Sequence, residues 1–401
     1  MPETNKQHRE RVFRHRGRSS QIPIFLGKQL RFFINESDWK VLPMAAVIAG
    51  LVSMVIRNKL FINMEGTLMG AFALTCVAIW NGCFNSIQSV CRERAIIKRE
   101  HRSGMHISSY VTAHMIYQLL LCLMQTAVSM YVMKLVGVQF PEQGFMTPWM
   151  IVDIGITMFL ISYAADMMSL LISSVSRTTT SAMTIMPFIL IFQLVFSGGI
   201  IPLPAWSRPL SNFTISSYGI RAIAAQAGYN ELPMVTAWNT LSGMRNSEIE
   251  ETVTVGRLLE ILDSEPVAKH RGETLIPSVT VGEAAEYLNV KLGDSADANE
   301  VLNDPVTIGD FLDFAENSET LRDNREREIT LKATVGEVID LFGEDNVREI
   351  IQKKTAEAAC KAEYERSAGN IVKNWLMLFA FIVAFAALAT IVLELIDKDK
   401  R

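Results

Sequence analysis

The chain has 401 residues, 49% of them apolar, with 38 Lys and Arg against 42 Asp and Glu, a net charge of −4. The apolar residues gather in runs long enough to cross a bilayer, which takes roughly 20 in a row, so a single water-soluble core is excluded. The small net charge hides a division: residues 241–370 hold 14 basic and 28 acidic residues, a net of −14, and the remainder holds 24 and 14, a net of +10.

The basic residues Arg9, Arg11, Arg14, Arg16, Arg18, Lys28 and Arg31 precede the first apolar run. No apolar stretch follows the basic start closely, so no cleavable signal peptide is expected. Residues 24–38 mix Phe25, Leu26, Leu30, Phe32, Phe33 and Ile34 with Lys28, Arg31 and Glu36. That mixture suits an amphipathic helix lying on the inner membrane surface; a solvated lead-in is the other reading.

Six apolar segments are expected to span the membrane: 41–56, 66–90, 107–133, 148–175, 181–201 and 371–396. Span 1 is short, and Trp39 and Lys40 suit an interfacial anchor for it. Between spans 2 and 3 lies a dense charged loop, Arg92 to Met105. Arg177 follows span 4, and Lys398, Lys400 and Arg401 follow span 6. With the amino terminus inside, all these basic groups fall in the cytoplasm, as the positive-inside rule requires. Both termini are then cytoplasmic, and the stretch between spans 5 and 6 is external.

That stretch contains a repeat: Thr254-Val-Gly256-Arg257, Thr280-Val-Gly282-Glu283, Thr307-Ile-Gly309-Asp310 and Thr334-Val-Gly336-Glu337. Its glycines are spaced 26, 27 and 27 residues apart, and an apolar pattern such as Leu258-Leu259 follows each. Threonine with an acidic residue three places on is a capping box, present in three of the four copies. Each unit reads as a short extended piece capped into a short helix, and four of them share one core. After the last copy, residues 346–366 are charged and helix-favouring and lead toward span 6.

The chain carries no phosphate-binding loop, since Gly27-Lys28 is followed by Gln29, and no zinc-protease or nucleophile-elbow motif. No Cys/His spacing suits a metal, and the acidic run from Asp294 to Glu300 lacks the calcium-loop pattern. Polar residues inside spans face a bundle interior or a cavity. Asn81, Asn85 and Gln88 of span 2 fall on one helical face beside Phe84. They line a cavity or hydrogen-bond between helices. Met183, Met186, Gln193 and Phe196 of span 5 are candidates to face the same space. Met158, Met167 and Met168 enrich span 4 in methionine, which suits either an adaptable apolar surface or ordinary packing. Asp153 and Asp166 of span 4 form a proton relay or pair within the bundle.

Three stretches resemble the transmembrane subunit of ABC exporters of the G-subfamily type: Asn81 to Val90 with Glu93-Arg94, Arg99-Glu100, Gly104 and Ser108-Ser109-Tyr110; Phe196-Ser197-Gly198-Gly199-Ile200; and Ile215 to Ala222 through Tyr218-Gly219 and Arg221. The resemblance covers residues 22–228 and span 6. It implies a polytopic α-helical membrane protein with six transmembrane helices and an interfacial connecting helix. The small α/β repeat domain expected extracellularly between spans 5 and 6 comes from the repeat itself and departs from the family, whose members usually carry a shorter insert there. The resemblance also implies a coupling helix in loop 91–106, where Glu93, Arg94, Arg99, Glu100 and Gly104 transmit closure of an ABC ATPase. The implied substrate cavity lies between spans 2 and 5 of two copies, with Phe84 as its aromatic residue. The implied gate is at Gly199 and Ile200, where related exporters carry bulky apolar pairs. A short re-entrant segment near residues 202–223 follows.

The expected domains are 1–40, a basic arm with the connecting helix; 41–201, spans 1–5; 202–240, the re-entrant and external segment; 241–370, the acidic repeat domain; and 371–401, span 6 and a cytoplasmic tail. The expected partners are a separate ABC ATPase carrying ATP and Mg, a second permease copy as homodimer or related chain, and the lipid bilayer, with no nucleic acid. The chain is not expected to be an enzyme alone. The expected place is the plasma (inner) membrane of a bacterium, and the expected cargo is an apolar or amphipathic lipid, drug or peptide. The competing readings are a membrane-anchored protein that senses an envelope component through the repeat domain, and a secondary transporter using Asp153 and Asp166.

Overall fold

The structure is a computed structural model that describes residues 17–35, 38–199, 203–264, 271–272, 274–287, 303–318, 323 and 325–395. They fall into two compact units, residues 1–233 with 359–401, and residues 234–358.

The first unit is helical. It comprises α1 (Arg18–Asn35), α2 (Val41–Ile56), α3 (Met64–Ser86), α4 (Ser89–Arg102), α5 (Ile107–Val136), α6 (Met150–Val175), α7 (Thr179–Val195) and α8 (Ile215–Gln226). A long final helix, Ala368–Glu394, closes it. Among the described residues, four stretches are long and apolar enough to cross a membrane: Met64–Arg102, α5, α6 and the final helix. Helices α2 and α7, of 16 and 17 residues, reach only about 25 Å at 1.5 Å per residue. The six expected spans are therefore four full-length stretches and two shorter apolar helices.

Two boundaries move. Span 2 was expected to run to residue 90, but α3 ends at Ser86 and Val90 lies in α4. The break comes there because Ser173 Oγ of α6 accepts the Val90 and Cys91 amides, both at 3.1 Å, and so caps a new helix. Span 5 was expected to run to residue 201, but α7 ends at Val195 and the chain turns at Gly198, whose φ is +70°. Ile200 and Ile201 lie outside the described residues.

Helix α6 is central, with 18 of its 26 residues buried. It packs most closely on α3, where a Cβ on Gly82 would overlap the Ser162 carbonyl oxygen. Small residues at such crossings let backbones approach and gain dispersion contact, the main attraction available between helices in lipid. Buried α8 packs on α3, α6 and the final helix. A Cβ on its Gly219 would come within 2.7 Å of Ile161 Cδ1. A polar node joins three of these helices: Thr157 Oγ1 accepts from Trp375 Nε1 at 2.8 Å and bonds the Gln226 amide.

The second unit begins with α9 (Thr236–Gly243) and then realises the repeat four times. The copies are β1 (Glu248–Thr254) into α10 (Val255–Leu262), β2 (Thr274–Thr280) into α11 (Val281–Tyr287), β3 (Pro305–Thr307) into α12 (Ile308–Asn317), and β4 (Glu328–Thr334) into α13 (Val335–Phe342). Helix α14 (Glu344–Ala359) follows, and the final membrane helix is α15. Strand β1 pairs antiparallel with β4, and β2 with β3, so the strands form two ribbons. Val255, Leu259, Ile308 and Leu312 join α10 and α12 in one cluster, with Phe342 of α13 packed against it.

Each copy caps its helix as the motif requires. The Thr254, Thr280, Thr307 and Thr334 hydroxyls accept the amide three residues on. Glu283, Asp310 and Glu337 return the bond to the threonine amide. The glycines have a reason that only pairing exposes. The Gly256, Gly309 and Gly336 amides donate to the Arg325, Arg271 and Arg245 carbonyls at 2.8–2.9 Å. A Cβ there would sit 3.1–3.3 Å from those oxygens.

The unit ends earlier than expected, at residue 358 rather than 370. Helix α14 stops at Ala359, and the chain then ties itself to the helical unit. Asn230 bonds both the Lys361 amide and the Lys361 carbonyl, Arg221 pairs with Glu363 at 3.1 Å, and Tyr364 packs on Tyr229.

Two tests follow from these contacts. Gly82→Ala is expected to separate α3 from α6, and a thermal melt of the purified chain in detergent should show it as a large fall in Tm. Thr334→Ala should cost about 1 kcal/mol at the α13 start, read as faster hydrogen exchange of the α13 amides in the full chain. The hydrogen bonds from Thr334 hold the Glu337 carboxyl below the usual glutamate range. The protection it adds is therefore present above that ordinary range and is lost as pH falls through the lowered value.

Candidate functional site

Helix α4 is the charged loop folded as a helix across one end of the bundle, between the end of α3 and the start of α5. Its face toward the protein is held at several points. Glu93 is buried, and Lys28 Nζ of α1 pairs with its Oε2 at 3.0 Å. Arg94 donates to the carbonyls of Ser174 and Ser176 at the end of α6, at 2.8 and 3.2 Å. The turn after α4 is clamped by α1: Gln21 donates to the Gly104 carbonyl at 3.2 Å and accepts from the His106 amide at 3.0 Å. Gly104 sits at φ +100°, which favours a glycine. Helix α1 is the expected amphipathic helix, somewhat longer at its start, and its Phe25 packs edge-on against Tyr110 of α5.

The five expected coupling residues therefore divide. Glu93 and Arg94 point inward and position α4, Gly104 shapes the turn, Glu100 is half-buried, and Arg99 is exposed. The outward stripe is Arg92, Ile96, Arg99 and Ser103, with Ile96 40% exposed. Arg92 and Ile96 belong to the expected charged loop but not to the five expected coupling residues. Their spacing of four and three residues was the signal that would have found them.

The expected cavity residues divide as well. Phe84 is 47% exposed and packs on Trp80, with ring centroids 5.5 Å apart. Asn81 is buried. Asn85 exchanges two hydrogen bonds with Gln125 of α5, at 2.8 and 3.0 Å. Of the two readings for Asn85, helix-to-helix bonding is the one it makes. Gln88 lies outside α3, exposed in the turn before α4. On α7, Met183 is exposed and Met186 buried, while Phe196 lies half-buried just past the helix against Phe192. Gln193 is buried against α8, where its side-chain carbonyl accepts the Ile215 amide at 2.8 Å. It fastens α8 rather than lining a space. Gly199 is buried with Ile220 where a Cβ would stand. Its expected gate partner, Ile200, lies outside the described residues.

The two aspartates play unlike parts. Asp153 is buried and accepts the Phe145, Met146 and Thr147 amides at 2.7–2.8 Å, pinning the loop before α6. Asp166 is buried, and among the described residues its carboxylate oxygens take no hydrogen bond. Thirteen residues of helix put the two about 20 Å apart, too far for direct proton exchange.

An apolar helical bundle with four helical stretches long enough to cross a bilayer, among the described residues, belongs to the class of multi-pass α-helical membrane proteins. Residues 31–226 match the ABC-2 type transporter family, so this part of the chain is a transmembrane ABC permease domain. Over 196 residues the chain is 26% identical to the ABC transporter ATP-binding/permease protein Rv1747 of Mycobacterium tuberculosis. That alignment takes in 45% of this chain and spans 22% of the relative's length.

The Lys28–Glu93 pair can be tested by charge exchange. Lys28→Glu should lower stability by about 2 kcal/mol, the scale of a charge-assisted bond to a buried carboxylate. Adding Glu93→Lys should restore most of it, read as Tm in detergent.

Proposed function

We infer that the chain is the permease subunit of an ATP-driven ABC exporter that moves an apolar or amphipathic substrate outward. The observation that carries this reading is α4 itself: a helix tied to α1 and α6 through bonds at the protein side, with an outward stripe of Arg92, Ile96 and Arg99. A push on that stripe reaches both helices at once. The motor is an ABC ATPase, expected on a separate chain, which binds ATP and Mg; this chain contributes docking and the path. By the positive-inside rule α4 lies in the cytoplasm, in the plasma membrane of a bacterium, and the repeat unit lies outside.

Alternating access takes two copies of the fold. Trp80, Phe84 and Met183 are exposed on α3 and α7, and in this reading they face the second copy across the substrate cavity. Closure of the ATPases rotates α4 with α1 and the α3–α6 pair and opens the cavity outward.

The test is co-expression with a cognate ABC ATPase. Ile96→Asp with Arg99→Glu should leave Tm unchanged and lower ATPase recovery on affinity purification about tenfold, the cost of losing one or two contact anchors. Transport by the purified chain under a proton gradient, with no ATPase present, would instead make it a secondary transporter. Failure to associate with any ABC ATPase, together with ligand binding that is lost on deleting residues 234–358, would favour the sensor.

A further inference from the structure

At the end of the bundle opposite α4, a cleft of about 630 Å³ opens beside the last turn of α7. Its walls carry Arg208, Arg221 and Lys361 against a single acidic group, Glu363. Leu203 and Pro209 give it an apolar side. Glu363 is already committed to Arg221 at 3.1 Å. Among the described residues neither Arg208 nor Lys361 has an ion-pair partner; Lys361 rests over the Tyr364 ring at 5.3 Å. The cleft therefore holds an excess of positive charge next to apolar surface, which favours an anion with an apolar tail.

A second observation places the cleft. Trp206 and Phe213, on either side of Arg208 in sequence, are 75% and 67% exposed. Exposed aromatic residues beside an apolar bundle mark the level of lipid headgroups. Guanidinium and ammonium groups at that level suit phosphate oxygens, which they bind through charge-assisted bonds.

We propose that this cleft binds the phosphate of an anionic phospholipid, held by Arg208 and Lys361 with its acyl chains along Leu203 and Pro209. The binding is independent of the export cycle inferred above, and it is read with no ATPase present.

The experiment uses the full chain in phosphatidylcholine nanodiscs carrying a trace of photoreactive phosphatidic acid. Labelling should map to residues 203–221 and 361–363, and unlabelled phosphatidic acid should compete while added phosphatidylcholine should not. Arg208→Gln with Lys361→Gln should reduce labelling about a hundredfold, since each of the two lost charge-assisted bonds weakens binding by roughly tenfold. Both side chains are exposed, so Tm should be unchanged, and Arg208→Gln alone should give an intermediate loss. Arg57→Gln, at the same end of the bundle, should have no effect. The proposal is overturned if the double variant labels like the wild type, or if Arg57→Gln lowers labelling equally, which would mean general surface attraction. It is also overturned if inorganic phosphate competes as well as the lipid, which would make the site one for free phosphate.

Discussion

Helix α6 is surrounded by protein and still carries polar groups along its length, and lipid offers them no water. Each group that is satisfied has to be answered by another element. Asp153 is answered by the loop before the helix, Thr157 by α8 and α15, Tyr163 by the Met115 carbonyl of α5, and Ser173 by the first turn of α4. These bonds arrange the bundle around α6. They fix where α4 starts, where α8 tucks in and how α15 closes the unit. The carbonyls at the end of α6 then receive Arg94, so α4 is attached to the same helix twice.

That attachment separates two kinds of residue on one short helix. Groups facing the bundle hold α4 in place, and Ile96 and Arg99 face away from it. A helix fastened on one side only would bend under load. Helix α4 is fastened on the α6 side by Arg94 and Ser173 and on the α1 side by Glu93, while α1 also holds the turn that follows. Helix α4 is therefore bonded to α1 and α6 at several points along its inner face.

Much of this was legible from residue order. The charged loop between two apolar runs, the amphipathic lead-in and the capped repeat all rest on local rules of periodicity and hydrogen bonding. The three capping boxes form as written because threonine and its acidic partner are only three residues apart. The span limits at residues 90 and 201 were less legible. Hydropathy sees no difference between a helix that continues and one that stops when a serine from another helix caps its successor, or when a glycine turns the chain. The repeat domain's end at 358 was hidden for a similar reason, because the ties of Lys361 to Asn230 and of Glu363 to Arg221 reach back about 130 to 140 residues.

The candidate site shows the same limit residue by residue. Helical period put Glu93, Arg94, Arg99 and Glu100 on known faces relative to one another, but it could not say which face met the protein. Lys28 lies 65 residues away in sequence, and its contact with Glu93 settles the rotation of α4. Gln193 reads as a cavity residue until α8 folds back to bond it, and Asp153 reads as a relay until a loop closes on it. The sequence by itself determined a membrane chain with a charged loop between two apolar runs and a capped, four-fold repeat, because those follow from local composition and spacing. Only the tertiary structure decided which polar groups are structural and which are left to act, because burial depends on contacts between elements far apart in the chain.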